Sequence, residues 1–489
     1  MDEQVISYLK SKSLSVITNE DIAAKMEVWK QWYKGCVDKF HKYKVYSGKK
    51  KLSMERKTLN LASKVCQRWA DVEMNEKVEI NVADEYTQAV LNHLLKQVNF
   101  RVRGNNLLET AFALGGGFFI QYWDGEKTNQ KYITQEFMYP ITYDSGRLTE
   151  AAFASQKTID GKTYVYLETH TKDPNGFYVV DNALLKTNDM KLGNSNGVGG
   201  LVEVDAQFYI DHGIIPKWET GSKTPLFQRI APNVANRDDF NSPWGTSVFS
   251  GAVDILASCD AIYDSFYKEF LLGKKRIFVT DGVANLNYVK NGDEVEPVQV
   301  FDPNDEVFYR IPDMDEGQPP IQPVDMALRV GDHSAAIQTQ LNLLSQAVGF
   351  GSDGFKWDLG GVTTATQVIS QNSEMFRTIK KHQAVLEDAI IDMAKGLLYV
   401  EAVFGGDGAI NLNAEITVDF DDSIIEDTEA IKRQAMMELN VGLISKAEYF
   451  RQVYKMGELQ ALEYEAKMLT EIIAEMQAIP VPEEPEPEV

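Results

Sequence analysis

Hydrophobic and polar positions along this chain change period several times, and each change marks an element. Residues 19–34 carry apolar side chains at helical spacing and end in WKQWYKG, which predicts an amphipathic helix capped by Thr18 and stopped at Gly35. A short Tyr- and Lys-rich strand segment follows, and a second helix is predicted near 54–74. Residues 84–97 again read as helix, with Val90, Leu91, Leu94 and Leu95 on one side. Between Leu107 and Tyr122 the run AFALGGGFFIQY passes from small residues to a β-type pattern. From about 118 to 232 the period is two. KTYVYLETH, GFYVVDN and LVEVDAQFYI alternate between turn residues, which predicts a β-rich region packed on the N-terminal helices.

Pro243-Trp244-Gly245 opens a predicted helix from about 246 to 272, whose stripe runs from Val248 and Phe249 through Leu256 and Cys259 to Tyr263 and Phe266. The segment 274–325 then breaks the helical period with the short strands KKRIFVTDG and DEVFYRIP and ends in EGQPPIQP, so it reads as a compact insertion between two helices. The second of those helices is predicted from about Asp332 to Val348. Next comes FGSDGFKWDLGG, Phe350 to Gly361, a glycine-rich loop with aromatics, and then a helix predicted to run to Phe404. Thr364-x-x-Gln367 has the form of a capping box at its start. Ile379, Leu386, Met393 and Val400 recur at the heptad interval, with Ile390, Leu397 and Phe404 between them, so one narrow coiled-coil-like stripe is expected. Gly396 lies inside this helix, costs about 1 kcal/mol relative to alanine, and is where a bend would fall. Ile410–Phe420 reads as one alternating strand. Helices from about 426 to 478 follow, broken at Asn440-Val441-Gly442 and restarted by a second capping box, Ser445-x-x-Glu448. The last stretch, PVPEEPEPEV, has no apolar content to bury and is expected to be disordered. No internal repeat is visible. The pattern as a whole describes an α+β chain, mostly helical.

Composition narrows the function classes. With 489 residues, 44% apolar and 10% aromatic, the chain can bury a sizeable core, and its length suggests about three domains. The formal net charge of −23 argues against a broad surface that grips nucleic acid, because neutralising phosphates drives such binding. It leaves room for a protein that DNA must pass without sticking. Cys36, Cys66 and Cys259 are far apart, show no metal-ligand spacing, and read as reduced thiols of a chain made in the cytoplasm. The N-terminal MDEQVISYLKSK lacks the basic-then-apolar order of a secretory signal, and no apolar run is long enough to span a bilayer.

Candidate chemistry is sparse. Gly115-Gly116-Gly117 lacks the Lys-Ser/Thr of a phosphate loop and precedes a strand-like run, so it reads as a packing feature. The six histidines, at 41, 93, 170, 212, 333 and 382, form no metal-ligand spacing. Asp419, Asp421, Asp422, Glu426 and Asp427 could hold a cation, or form a solvated strand-to-helix junction with acids at a helix N-terminus. No nucleophile elbow is present, so nothing supports an enzyme and no cofactor is indicated. Phe350, Phe355 and Trp357 sit among glycines, either as a plug against the protein's own core or as a loop that touches something in a tunnel. Lys356 and the Lys380-Lys381 pair could meet phosphates or be ordinary exposed lysines. Lys274-Lys275-Arg276 is a basic knot where a helix hands over to the insertion, or a charge set favoured at a helix C-terminus.

The order of elements, with WKQWYKGCVDKFHKY at 29–43, RKTLNLASKVCQRWADVEMNEKVEI at 56–80, TATQVISQNSEMFRTIKKHQ at 364–383 and EDTEAIKRQAMMELNVGLISKAEYF at 426–450, resembles the portal proteins of tailed bacteriophages, most closely the siphophage type. The resemblance spans nearly the whole chain. It implies a non-enzymatic subunit of a ring, usually dodecameric, at one capsid vertex of the virion. Its implied parts are a wing at 1–245 with a returning strand at 405–425, stem helices at 246–273 and 326–348, and a clip at 274–325. A tunnel loop at 349–362, a long tunnel helix at 363–404, crown helices at 426–478 and a tail at 479–489 complete it. Phe350, Phe355, Lys356 and Trp357 would then face the channel, and Lys274, Lys275, Arg276, Lys380 and Lys381 would lie near DNA. Implied partners are double-stranded DNA, the terminase large subunit, a head-completion or adaptor protein, the major capsid protein and scaffolding protein, with no membrane. A capsid-associated protein without a channel, or a metal-dependent hydrolase using the aspartates near 419–427, are the alternatives.

Overall fold

The computed structural model describes residues 2–47, 50–74, 78–187, 201–273, 276–280, 287–291, 294–298, 308–311, 321–324, 327–352, 354–357, 365–420, 428–454, 456–457, 461–462 and 464–470. The chain forms two compact units, one of residues 1–362 with 377–420, the other of 363–376 with 421–489. It is α+β, and helix outweighs strand by about 48% to 23%.

The first unit opens with α1 (Asp2–Ser11), α2 (Glu20–Tyr33) and the short α3 (Asp38–His41). The cap of α2 is Asn19, not Thr18: the Asn19 side chain accepts the Ile22 amide at 3.2 Å. An antiparallel hairpin follows, β1 (Lys42–Ser47) with β2 (Lys50–Glu55), and α4 spans only Leu61–Glu73. The expected helix from 54 is therefore corrected at its start, because residues 54 and 55 are spent on the hairpin ladder. Next come β3 (Glu79–Val82), α5 (Glu85–Gln97) and α6 (Phe100–Leu114). Asp84 caps α5 by accepting the Thr87 amide at 2.8 Å.

The period-two region is a set of antiparallel sheets. Strands β4 (Gly117–Trp123) and β5 (Thr128–Thr134) join β12 (Phe227–Ile230) in the order β12-β4-β5. Strands β6 (Met138–Asp144), β7 (Arg147–Ile159), β8 (Lys162–Lys172), β9 (Tyr178–Thr187), β10 (Leu201–Glu203) and β11 (Lys217–Glu219) form the larger sheet. Alternation decides which face each residue takes. Val165, Leu167, Ala183 and Leu185 meet Val5 and Leu9 of α1, whereas Tyr164, Tyr166 and Leu184 meet Tyr209 of α7 (Ala206–Asp211). Lys131 of β5 donates to the fully buried Glu168 of β8, tying the two sheets together.

The three consecutive glycines pack rather than bind. A side chain at Gly115, where φ is +94°, would meet the Gly245 carbonyl at 2.6 Å, and one at Gly117 would meet Leu107 at 2.9 Å. Gln135 clamps the same place, donating to the Leu114 and Gly245 carbonyls and accepting from the Gly245 amide.

The stripe expected to start a helix at 246 starts it later. The Val248 amide and the Ser247 hydroxyl both donate to the Phe112 carbonyl, which holds that stretch out of helical geometry, and α8 spans Val253–Leu272. In the segment after it the described strands are β13 (Arg276–Thr280), β14 (Asn287–Asn291), β15 (Glu294–Val298), β16 (Phe308–Ile311) and β17 (Ile321–Val324). β13 lies between β16 and β17, and β14 pairs with β15. The segment leaves and returns at one point, where Arg329 makes a two-pronged contact with Glu269, Nε to Oε1 at 3.1 Å and Nη2 to Oε2 at 2.8 Å. Helix α9 (Val330–Ala347) then packs along α8.

Helix α10 runs unbroken over Ala365–Phe404. Gly396 is there because a side chain would meet Gln121 Oε1 at 2.5 Å, so it marks a close approach to β4 and not a break. The narrow stripe is also corrected. Ala389, Ala394 and Leu398 are buried alongside Ile390, Met393, Leu397 and Val400, so this end of the helix is covered over most of its girth. The Thr364 cap lies outside the described residues. After α10 the chain turns back to β18 (Ile416–Asp419), shorter than the strand expected over 410–420, and pairs antiparallel with β3. Residues before it are taken up in turns, with the Asn411 amide donating to Thr87 Oγ1 at 3.0 Å.

In the second unit, α11 (Thr428–Val441) ends before Gly442 at φ +80°, and α12 (Lys446–Tyr454) starts where the Ser445 hydroxyl accepts the Glu448 amide at 3.0 Å. Residues 479–489 lie outside the described residues.

Candidate functional site

The loop after α9 is where the sequence placed most of its candidate residues, and the structure divides them. Gly349 and Gly351 sit at φ +86° and +71°, which lets the chain leave α9 and double back along it. Between them Phe350 turns inward. It is 3% exposed, and its ring stacks on Trp69 of α4 with centroids 4.3 Å apart and planes 18° from parallel. Trp69 also donates through Nε1 to the Val348 carbonyl at 3.1 Å. The expectation that Phe350 faces a channel is therefore corrected: it is part of the protein's own core, because the glycine on each side lets the backbone drive its ring inward.

Phe355 meets Phe350 edge-on at 5.6 Å. The Arg68 guanidinium lies over both rings, 4.9 Å from Phe350 and 5.4 Å from Phe355, and donates to the Gly354 carbonyl. Polar groups of α9 fix the returning backbone. Ser345, fully buried, accepts the Gly354 amide on its hydroxyl at 2.9 Å. Gln338 donates to the Phe355 carbonyl at 3.2 Å and accepts the Trp357 amide at 2.7 Å. Trp357 is 36% exposed and touches α8 only through ring edges, at 6.3 Å from Tyr263 and 6.4 Å from Phe266. Lys356 beside it is exposed. The root of the loop is thus held by at least five named groups, and it presents a half-covered Phe355 with the outward pair Lys356 and Trp357.

Behind the root sits His382 of α10. Its Nδ1 accepts the Asn233 amide at 2.9 Å, so the ring proton resides on Nε2. The ring stands edge-on to Trp69 at 4.9 Å and Phe112 at 5.1 Å. Burial, with Lys381 next to it, pushes its pKa down to about 4, so it is a neutral core residue. Lys380 and Lys381 are exposed on α10, and the Lys381 carbonyl accepts from Asn233 Nδ2 at 2.7 Å. Gly349 packs against Thr378 of the same helix, which puts the lysine pair within a turn of the loop root. Lys274 and Lys275 lie outside the described residues, and Arg276 is placed only by its backbone at the start of β13.

Sequence reading missed Arg68, Trp69, Gln338 and Ser345 as the groups that hold the loop. Only two of them left a signal: Gln338 and Ser345 are two helical turns apart, a polar pair sharing a face with the buried Leu341. Asp419 accepts from Asn81 Nδ2 at 2.9 Å across paired strands, and the remaining acids of that run lie outside the described residues. Among the described residues no group of three or more His, Cys, Asp or Glu side chains could hold a metal ion. No helix among them is long and apolar enough to cross a membrane.

Comparison with known proteins adds the following. A family model described as "Phage portal protein, SPP1 Gp6-like" matches residues 17–475. No curated protein matches the chain. Solved structures similar to it include a chain of the virion of a native gene transfer agent particle, at 10% identity and TM-score 0.39, covering 81% of this chain and 90% of that one. Another is a chain of the neck of a native gene transfer agent particle computed with C12 symmetry, at 12% identity and TM-score 0.40, covering 80% of this chain and 89% of that one.

Proposed function

The chain belongs to the SPP1 Gp6-like phage portal protein family, and on that premise we propose that it assembles into a ring, twelve-membered in the virion, around a channel for double-stranded DNA. In this reading the ring occupies one capsid vertex. DNA enters through it during packaging by the terminase large subunit and leaves through it on ejection. A head-completion or adaptor protein docks on it, and major capsid and scaffolding proteins contact it. The observation that carries the reading is the span of the family match, which takes in both long helices, the insertion and the loop together.

The parts follow in proportion. Residues 1–245 with 405–425 form the wing, 246–273 and 326–348 the stem, and 274–325 the clip that meets terminase. The tunnel loop is 349–362, the tunnel helix 363–404 and the crown 426–478. Charge fits a passage that does not bind its cargo. Twelve chains at −23 each carry roughly 276 negative charges, and a wall of that sign repels phosphate instead of holding it. Repulsion between subunits is limited by a screening length of about 8 Å at physiological salt and must be offset by apolar contact.

The loop geometry supports a division of labour. Phe350 and Arg68 anchor the root, and Phe355, Lys356 and Trp357 are the side chains available to DNA. Imaging of the purified full-length protein tests the reading: rings with a central hole are expected. A protein that stays monomeric at micromolar concentration and moderate salt, or that associates without a hole, overturns it.

A further inference from the structure

Three described arginines are half-buried, and two of them are engaged within the chain. Arg56 donates to the Phe40 carbonyl at 2.8 Å and lies over the Phe40 and Tyr43 rings. Arg68 lies over Phe350 and Phe355 and donates to the Gly354 carbonyl. The third, Arg229, has no such company. Its Nε is shut off from water without a hydrogen-bond acceptor, and among the described residues no carboxylate or aromatic ring meets the guanidinium. Burial pushes its pKa down to about 10, and no acid lies close enough to hold it up.

The place explains why. Arg229 belongs to β12, an outer strand of its sheet, and stands opposite Phe118 of β4. Its head group is pressed against bare backbone: a Cβ at Gly245 would lie 2.5 Å from Nη2, and one at Gly116 would lie 3.5 Å from Nε. The carbonyls of these two glycines already accept from Gln135, Gly116 from its amide at 2.9 Å and Gly245 from its Nε2 at 3.2 Å. A cation drawn out of water without a counter-charge destabilises a fold, and arginine cannot shed its proton to escape. Its planar fork of donors matches an oxyanion. The missing partner is therefore an oxyanion from outside the chain. A phosphate of passing DNA would be a transient partner, and a firm grip on it would hinder passage. A charge withdrawn this far needs a resident partner. The chain carries 72 acids against 49 lysines and arginines, so a second copy brings a surplus of carboxylates in fixed stoichiometry.

We propose that Arg229 is a docking point between subunits, its guanidinium receiving a carboxylate of the adjacent copy in the ring. The proposal rests on the ring reading. One such pair covers far less than the roughly 800 Å² per partner of a stable interface, so it fixes the register of a larger contact instead of making one alone.

The test uses the full-length protein as wild type, Arg229→Met and Arg229→Lys. Methionine keeps an unbranched stem and removes the charge, whereas lysine keeps the charge and loses the fork. Ring formation is followed by mass photometry across a dilution series. Arg229→Met is expected to raise the half-assembly concentration about 10–100-fold, because it leaves the neighbour's carboxylate unpaired, and Arg229→Lys by less. At concentrations where every form is monomeric, Arg229→Met should melt at or above the wild-type temperature, because an uncompensated charge has gone. Weaker assembly from an unweakened monomer is a combination that a packing role does not give. A monomer destabilised by Arg229→Met overturns the proposal, and so does assembly of both variants at the wild-type concentration. In that second case two further measurements say what replaces it. Inorganic phosphate that stabilises wild-type monomers, and not Arg229→Met, over chloride at equal ionic strength would assign Arg229 to a free ion. Variant rings that form normally and lose DNA would assign it to nucleic acid. If wild type itself never forms rings, the ring reading fails and this proposal falls with it, a result distinct from rings that ignore the variants.

Discussion

Replacing Phe350 and Trp357 by alanine, one at a time, separates the root of the loop from its outward side chains. Phe350 is 3% exposed and surrounded by Trp69, Phe355 and Arg68, so Phe350→Ala opens a cavity in the core. Such truncations cost about 3–5 kcal/mol. Trp357 is 36% exposed, meets Tyr263 and Phe266 only by ring edges, and is held by its backbone amide, which the substitution keeps. Edge contacts of this kind are worth about 0.5–1.5 kcal/mol, so Trp357→Ala should cost about 1 kcal/mol. Urea unfolding at concentrations that keep the protein monomeric reads the difference. With a slope of about 3 kcal/mol per molar, Phe350→Ala should lower the midpoint by roughly 1–1.7 M and Trp357→Ala by roughly a third of a molar. In assembled particles the order reverses: Trp357→Ala should keep the ring and impair DNA packaging or retention. Equal midpoint losses would refute the division between root and outward side chains. A Trp357→Ala ring that packages and retains DNA as wild type does would remove the case for a DNA-facing loop.

Other substitutions probe the scaffold around it. Asp260 of α8 is buried and accepts from His41 Nε2 at 3.1 Å, Thr58 Oγ1 at 2.9 Å and the Leu59 amide at 2.8 Å. Asp260→Ala removes the acceptor of the buried His41 and of the part-buried Thr58 and Leu59 and should cost about 3–5 kcal/mol in the same unfolding assay, loosening the hairpin root from α8. Gly396→Leu drives a side chain into Gln121 and should lower the melting temperature well beyond the effect of an exposed-site leucine, although leucine is the better helix former. His382 titrates at about 4 when folded against about 6.5 when unfolded, so the unfolded state binds more protons between those values. Stability should therefore be unaffected by this group above pH 6.5 and fall by up to about 3 kcal/mol as pH drops towards 4. His382→Asn keeps an acceptor for the Asn233 amide and should flatten that part of the pH profile, at some general cost in packing.

What could be read from the chain follows from the range over which each feature is determined. Helices α5 and α10 and most of the period-two strands were legible because their burial repeats every few residues and the pattern sits in the sequence itself; LVEVDAQFYI is the exception, strand only over Leu201–Glu203 and helix from Ala206. The restart at Ser445 was legible because a cap acts over three residues. Boundaries failed where a distant group competes for the backbone. Helix α8 starts late because residues 247 and 248 bond to Phe112, and β18 is short because residue 411 bonds to Thr87, partners far away along the chain. Gly396 was misread for the same reason: propensity sees a weak helix former, whereas the fold sees a neighbour at 2.5 Å.

The loop joins both cases. That it bends was local, written in glycines at 349 and 351. Which ring turns inward was not, because it depends on Trp69 and Arg68 lying opposite, nearly three hundred residues earlier in the chain. Phe350 takes the plug's place, and under the proposed ring the channel-facing part of the segment would be the residues that follow it. A loop that must stay in place while a long charged polymer moves past needs a root that cannot be pulled out. Phe350 against Trp69, with Arg68 and Ser345 holding Gly354, supplies that root, and the side chains that follow are left free for contact. The aromatic nearest the core therefore secures the loop, and the two outermost side chains, Lys356 and Trp357, are the ones whose exchange should alter passage without altering the fold.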